Sequence, residues 1–178
     1  MIFVNGLQRS GTNFAKSLYN NAKDYCHPYW KHNLKYESID PDCEKVYCII
    51  KNPYTWVESI CFRDEADIVA SFQFLCQLRD ENDYLGPFKI NLQKLCTVYK
   101  TFYTTWLAYD KTELIHYESL LIDNNIHKIV PQGHNWDPKR YRTYLRYEAP
   151  LVPQEAKNII TETLGQDFFK KIGYEPQL

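Results

Sequence analysis

The sequence has none of the features that mark membrane-spanning, secreted or broadly nucleic-acid-binding proteins. No apolar run approaches the roughly 20 residues that cross a bilayer, and no signal peptide is recognisable. The first predicted strand begins at Ile2, so we expect no targeting segment before it. With a formal net charge of −1, the chain has no basic excess for a general nucleic-acid surface. We therefore expect neither a membrane nor a nucleic acid as its partner.

The cysteines form neither a metal-binding pattern nor a disulfide framework. No two of them have CxxC spacing, and most lie within apolar patterns. The six are Cys26, Cys43, Cys48, Cys61, Cys76 and Cys96. We expect them to be reduced core residues of a cytoplasmic protein.

Length and composition favour one globular domain. The chain has 178 residues, which suffices for a proper hydrophobic core. Hydrophobic residues make up 44% of it and aromatic residues 16%, so it is not expected to be disordered. No repeat or linker is visible, and we expect a single domain over residues 1–178.

Hydrophobic patterning predicts alternating strands and helices. The predicted strands are Ile2–Val4, Lys45–Ile50 and Glu113–Tyr117. The predicted helices are Thr12–Asp24, one starting at Asn52-Pro53, Glu65–Arg79, Asn91–Tyr109, Pro153–Leu164 and Phe168–Tyr174. Residues 35–44 are predicted to be a loop, and residues 122–150 are irregular. This order indicates an α/β fold with a parallel β-sheet flanked by helices on both faces.

The first strand-to-helix junction has the layout of an anion site. A loop with Gly6 and Gly11 follows the first strand, and Arg9 and Ser10 lie between the glycines. Loop N–H groups and the first helical turn would point at one anion, which the helix dipole also favours. The alternative is an ordinary turn with a surface arginine.

The residues after Gly11 depart from the phosphate loop of nucleotide hydrolases. That pattern continues with lysine and then serine or threonine, for the terminal phosphates and Mg²⁺. Here Thr12 and Asn13 occupy those positions, and the cation lies inside the loop at Arg9. We therefore expect an anion site that does not use a metal.

A second junction follows the apolar strand Lys45–Ile50. Lys51 stands at the strand end, Asn52 is the predicted N-cap of a helix, and Pro53 is its first residue. Ser59 lies within that helix. Ligands bind at the carboxyl ends of parallel strands, so Lys51 is a candidate ligand contact.

Together these two junctions resemble sulfotransferases that use 3′-phosphoadenosine 5′-phosphosulfate (PAPS). The segment Arg9–Phe14, RSGTNF, matches the loop that binds the 5′-phosphosulfate in that family. The segment Lys51–Pro53 with Ser59 matches its 3′-phosphate site, with lysine in place of arginine. The resemblance implies the P-loop-like sulfotransferase architecture. It also implies PAPS as co-substrate, adenosine 3′,5′-bisphosphate as product, and no metal.

Three shorter elements add to the resemblance. The segment Tyr117–Leu120 is similar to a Tyr-Glu-Asp-Leu element, with serine for aspartate. Lys31-His32 resembles the Lys-Thr-His-Leu-Pro element that carries the family's catalytic histidine, and is one residue shorter. The segment Lys170–Tyr174 also resembles the family. The chain is shorter than typical cytosolic members, so the acceptor pocket is expected to be reduced.

The resemblance implies a role for each matched residue of the donor site. Arg9 would neutralise the leaving 5′-phosphate, and Lys51 and Ser59 would hold the 3′-phosphate. The phosphosulfate would be held by the Gly6–Asn13 loop, through N–H groups from Ser10 to Asn13 and the hydroxyls of Ser10 and Thr12. Phe14 and Tyr117 are candidate adenine-stacking partners. One or more of three arginines would close over the nucleotide. The three are Arg140, Arg142 and Arg146.

The general base is expected to be His32, with Lys31 beside it in the catalytic element. Histidine titrates near pH 6.5, which suits proton removal from an acceptor hydroxyl. His27 is the nearest alternative, and Glu37 is a more distant one.

Two other function classes remain open from the sequence. One is a P-loop nucleotide kinase-like enzyme, against which the missing lysine after Gly11 counts. The other is a non-catalytic nucleotide-binding protein derived from a sulfotransferase. The acceptor, expected to be a small molecule or a carbohydrate, is not identified by the sequence, and neither is the oligomeric state.

Overall fold

The computed structural model describes residues 2–7, 9–12, 14–15, 36–39, 41–61, 91–122 and 152–177. Within these residues the chain is a mixed α/β protein with a three-stranded parallel sheet. The strands are β1 (Ile2–Asn5), β2 (Lys45–Ile50) and β3 (Thr112–His116). The helices are α1 (Pro53–Cys61), α2 (Leu92–Leu107), α3 (Tyr117–Ile122), α4 (Gln154–Leu164) and α5 (Gln166–Ile172). A short 3-10 helix covers Tyr36–Ser38.

β2 is the middle strand of the sheet, which has the order β1-β2-β3. All of its residues after Lys45 are buried, as expected for a strand covered on both faces. The parallel register pairs Asn5 with Cys48 and Ile50 with His116. The carboxyl ends of the three strands therefore lie along one edge of the sheet, and the chain leaves each strand there.

The hydrophobic core beneath this edge joins the sheet to two helical segments. Its buried members are Val4, Phe14, Ala15, Tyr47, Ile49, Ile115 and Leu120. Phe14 and Ala15 belong to the start of the predicted first helix, where the Ala15 N–H donates to the Gly11 carbonyl at 3.0 Å. The helical start is thus confirmed, while its extension to Asp24 lies outside the described residues.

An asparagine caps each of two helices, and the predicted cap at Asn52 is confirmed. The Asn52 side-chain oxygen accepts the Tyr54 N–H at 3.0 Å, and Pro53 is the first residue of α1. The Asn91 side-chain oxygen accepts the Lys94 N–H at 2.9 Å at the start of α2. Each cap satisfies a backbone donor that has no partner within its own helix.

Other predicted boundaries shift by a few residues. β3 begins and ends one residue before the predicted strand, and α2 ends at Leu107 instead of Tyr109. The loop predicted at 35–44 contains the 3-10 turn. The terminal helices are confirmed as α4 and α5, separated by Gly165. The predicted helix Glu65–Arg79 lies outside the described residues.

The cysteines whose side chains the structure describes are buried free thiols: Cys43, Cys48 and Cys96. This agrees with their predicted place in a reduced core. In the part of the chain that the structure describes, no helix combines the length and apolar character needed to cross a membrane.

The chain divides into two compact units, and the division falls inside α2. The first unit comprises Met1–Lys51 and Tyr103–Glu148, and the second comprises Asn52–Phe102 and Ala149–Leu178. Compact units of one chain need not fold separately, so the single domain stays a prediction.

Aromatic packing joins the helices of the second unit. Trp56 of α1 lies 4.9 Å from Tyr99 of α2 between ring centroids. Tyr54 stacks on Phe169 of α5 at 5.7 Å, and its hydroxyl is 2.7 Å from the Thr161 hydroxyl of α4. Large buried rings of this kind supply most of the apolar area that holds such helices together.

We expect Asn91→Ala to lower the free energy of unfolding by about 0.5–2 kcal/mol, because it removes the cap of α2. Asn91→Asp keeps an acceptor at this position and is the matched control. Urea denaturation of the three proteins measures the difference. Equal midpoints for Asn91→Ala and Asn91→Asp would contradict the capping role.

Candidate anion-binding site

Three chain segments leave the carboxyl edge of the sheet within the first unit. The loop that starts at Gly6 follows β1, Lys51 follows β2, and Tyr117 follows β3. The two sequence-predicted cations, Arg9 and Lys51, thus belong to segments that leave the same edge. The parallel register produces this arrangement, since all three strands point the same way.

The space around Gly6, at the base of the loop, has no room for a side chain. Its φ is +154°, and a Cβ added to it would lie 2.5 Å from the Ile49 carbonyl oxygen. The same Cβ would lie 2.8 Å from the Ser10 Oγ. A side chain here would push the loop away from β2, so glycine allows the loop to rest on that strand.

Ser10 closes the loop on itself. It is fully buried, and both its N–H and its hydroxyl donate to the Leu7 carbonyl, at 3.1 Å and 2.5 Å. A hydroxyl contact with an anion would require Ser10 to rotate away from Leu7. The predicted contact of Ser10 with a phosphosulfate therefore stays a prediction.

Arg9 has the backbone conformation that anion-binding loops use. Its φ is +66°, in the left-handed region that a residue with a side chain adopts at a cost of about 1–2 kcal/mol. Left-handed residues turn successive N–H groups toward one concave side, where an anion fits. The Nη2 nitrogen of Arg9 is buried. Part of the positively charged guanidinium group therefore lies inside the protein at this loop.

Tyr117 connects the loop to the end of β2. A Cβ added to Gly11, whose φ is +93°, would overlap the Tyr117 ring. Phe14 meets that ring edge-on, with 6.3 Å between centroids, and the Lys51 Nζ lies 5.8 Å from the Tyr117 ring centroid. The structure therefore brings Gly11, Phe14 and Lys51 together around the ring of Tyr117, which is itself a predicted site residue.

The two predicted adenine-stacking residues differ in exposure. Phe14 is 5% exposed and belongs to the core, whereas Tyr117 is half-buried at the edge of that core. Adenine stacking stays a prediction for both, and the structure leaves more accessible ring surface on Tyr117.

Of the remaining predicted site residues, Thr12 and Glu37 belong to the first unit and Ser59 to the second, and the others lie outside the described residues. Ser59 belongs to the second unit, where its hydroxyl donates to the Trp56 carbonyl at 2.6 Å. Thr12 is buried at the first helical turn, and Glu37 is exposed on the 3-10 helix. Those outside the described residues are Asn13, His27, Lys31, His32, Arg140, Arg142 and Arg146.

Sequence reasoning missed a functional candidate beneath the loop, Tyr103 of α2. Helical spacing assigned it to the core, and it is fully buried. Its hydroxyl, however, donates to the Ile49 carbonyl at 2.9 Å, the atom against which Gly6 of the loop packs. Burial raises the pKa of Tyr103 well above its ordinary value, so the hydroxyl keeps its proton at neutral pH.

Metal ligands are lacking among the residues that the structure describes: no group of three or more His, Cys, Asp or Glu side chains could hold an ion. At this edge Arg9 and Lys51 favour an anion, and Glu118 in the first turn of α3 adds a carboxylate to the segment that follows β3.

Comparisons with known proteins do not assign the chain to a family. No family model, no curated protein and no solved structure matches it.

Proposed function

We propose that the chain is a PAPS-dependent sulfotransferase with a P-loop-like sulfotransferase architecture. It transfers a sulfuryl group to a hydroxyl or amine of a small-molecule or carbohydrate acceptor. The observation that carries the proposal is the pairing of two features at one sheet edge. These are a glycine-bearing loop with Arg9 inside it, and Lys51 at the end of the neighbouring strand.

The charge at this edge suits a donor with two separate anionic groups. The loop N–H groups and the helix beginning at Thr12 favour the 5′-phosphosulfate, and Arg9 neutralises charge on the leaving phosphate. Lys51 lies over Tyr117 and binds the 3′-phosphate. Asn13 is proposed to contribute its N–H, and Ser59 a hydroxyl, on the strength of the sequence match.

The transfer is a single in-line exchange of bonds. The acceptor oxygen or nitrogen attacks sulfur, and the bond from sulfur to the 5′-phosphate oxygen breaks. The acceptor's proton goes to His32, and adenosine 3′,5′-bisphosphate leaves. Positioning and charge stabilisation supply most of the catalysis, as in phosphoryl transfer.

Buried free thiols support a cytoplasmic location, since such compartments keep cysteines reduced. Two other functions are outcomes of the tests below. Preference for ATP-Mg²⁺ would support a nucleotide kinase-like enzyme. Tight binding of adenosine 3′,5′-bisphosphate without turnover would support a non-catalytic nucleotide-binding protein.

Lys51→Ala is expected to weaken adenosine 3′,5′-bisphosphate by about tenfold to a hundredfold. Adenosine 5′-phosphate should be affected much less, because it lacks the phosphate that Lys51 contacts. Calorimetric titration of both nucleotides measures the two losses. Lys45→Ala is the matched control, since Lys45 begins the same strand and pairs with Glu113. Equal losses for both nucleotides in Lys51→Ala would contradict a 3′-phosphate contact.

Sulfuryl transfer is expected to proceed at full rate in excess EDTA. A sulfuryl group carries one less negative charge than a terminal phosphoryl group, and Thr12 and Asn13 stand where a metal-dependent loop has lysine and serine or threonine. The measurement is turnover of a labelled sulfate donor with and without the chelator. Strict dependence on Mg²⁺ would favour the kinase alternative.

His32→Ala is expected to reduce turnover by roughly 10²–10⁴-fold while leaving donor affinity nearly unchanged. A positioned base acts in the chemical step and contributes little to nucleotide binding. Steady-state rates across pH 6–8 and donor titration test both parts. His27→Ala is the matched control. Wild-type rates in His32→Ala would exclude it as the base and make His27 the next candidate.

A further inference from the structure

Polar contacts lie beneath the candidate anion-binding loop, at the hydroxyl of Tyr103. Tyr103 is fully buried, and its ring belongs to the core of the first unit. Its hydroxyl nevertheless donates a hydrogen bond to the Ile49 carbonyl, at the end of β2.

These contacts occur where the loop rests on β2. The Ile49 carbonyl oxygen that accepts the Tyr103 hydrogen bond is also the atom that leaves no room for a side chain at Gly6. The Ser10 Oγ borders the same space. A single hydroxyl therefore holds the carbonyl on which the loop rests, in the strand that leads directly to Lys51.

We propose that Tyr103 is a positioning residue that fixes the anion-binding loop relative to the end of β2. It contacts no ligand. By holding the Ile49 carbonyl on which Gly6 of the loop packs, it sets the separation between the loop N–H groups and Lys51, two residues after Ile49. The binding of a ligand that reaches both places depends on that separation. The link to a bisphosphate ligand rests on the proposed function, whereas the effect on the loop does not.

The alternative is that Tyr103 only fills the core. Tyr54 provides a matched control for this alternative, because it is also fully buried and its hydroxyl is also hydrogen-bonded. That hydroxyl contacts Thr161 and accepts the Gln177 N–H at 2.8 Å, in the second unit. Tyr103→Phe and Tyr54→Phe thus remove the same atom from comparable surroundings, and only the first lies under the loop.

The first measurement is amide hydrogen exchange of peptides covering residues 6–12, without ligand. Tyr103→Phe should exchange there about tenfold faster than wild type, because an opening that a hydrogen bond opposes becomes easier. Tyr54→Phe should leave these peptides within about twofold of wild type. Placing 4-aminophenylalanine at position 103 restores a donor, and should restore slow exchange.

The second measurement is calorimetric affinity for adenosine 3′,5′-bisphosphate and for inorganic pyrophosphate. Tyr103→Phe should weaken the bisphosphate by roughly tenfold, with recovery in the 4-aminophenylalanine variant and no more than a twofold change in Tyr54→Phe. If wild type binds neither of the two probes, the proposed function is refuted. The exchange measurement would still decide the role of Tyr103.

Three results would overturn the proposal. One is wild-type exchange at residues 6–12 in Tyr103→Phe. Another is an equal loss of affinity in Tyr103→Phe and Tyr54→Phe, which would indicate general destabilisation. The third is failure of Tyr103→Phe to fold when Tyr54→Phe folds, which would make Tyr103 a structural residue.

Discussion

Parallel pairing of β2 with both of its neighbours is the constraint on which the site depends. Because β1, β2 and β3 run in one direction, each chain segment that leaves a strand does so at the same edge. Backbone pairing alone thus places Arg9 and Lys51, which are far apart in the sequence, on segments that leave the same edge of the sheet. Antiparallel pairing of β1 with β2 would send Arg9 and Lys51 to opposite edges.

The loop after β1 has an unusual backbone, and close packing supports it. Arg9 is left-handed without being glycine, and Gly6 and Gly11 both have positive φ. Such conformations persist only where neighbouring groups over-determine them. Here the Ile49 carbonyl lies against Gly6, and the Tyr117 ring lies against Gly11. The conformational cost is therefore offset by contacts with β2 and with the first residue of α3.

Local patterns predicted much of the described fold. β2 has the predicted bounds because an apolar run of five residues between Lys45 and Lys51 needs no distant information. The caps at Asn52 and Asn91 follow from the chemistry of one side chain and the first turn of its own helix. The position of the anion-binding loop was predictable for the same reason, since strand, glycine and helix are adjacent in sequence.

What the sequence could not predict depends on contacts between distant segments. Tyr103 matched the apolar face of α2, and helical spacing contains nothing about the Ile49 carbonyl, 54 residues earlier. The hydrogen bond from Ser59 to Trp56 is local, but whether a buried hydroxyl bonds to its own helix or to a ligand depends on what surrounds it. Periodicity gives the face on which a residue lies, and not the partner of its polar atom.

The aromatic environment of Lys51 bears on how a nearly neutral chain would bind the proposed anionic ligand. A net charge of −1 gives no general attraction for anions, so such an affinity would have to be local. The Tyr117 ring lies close enough to the Lys51 ammonium for a cation–π interaction. That contact limits the rotamers of a long side chain, which would otherwise lose roughly 2 kcal/mol of conformational freedom on binding. Lys51 is already restrained at the strand end, and the loop beside it is already fixed by its neighbours. Much of the entropic cost of binding is therefore incurred during folding.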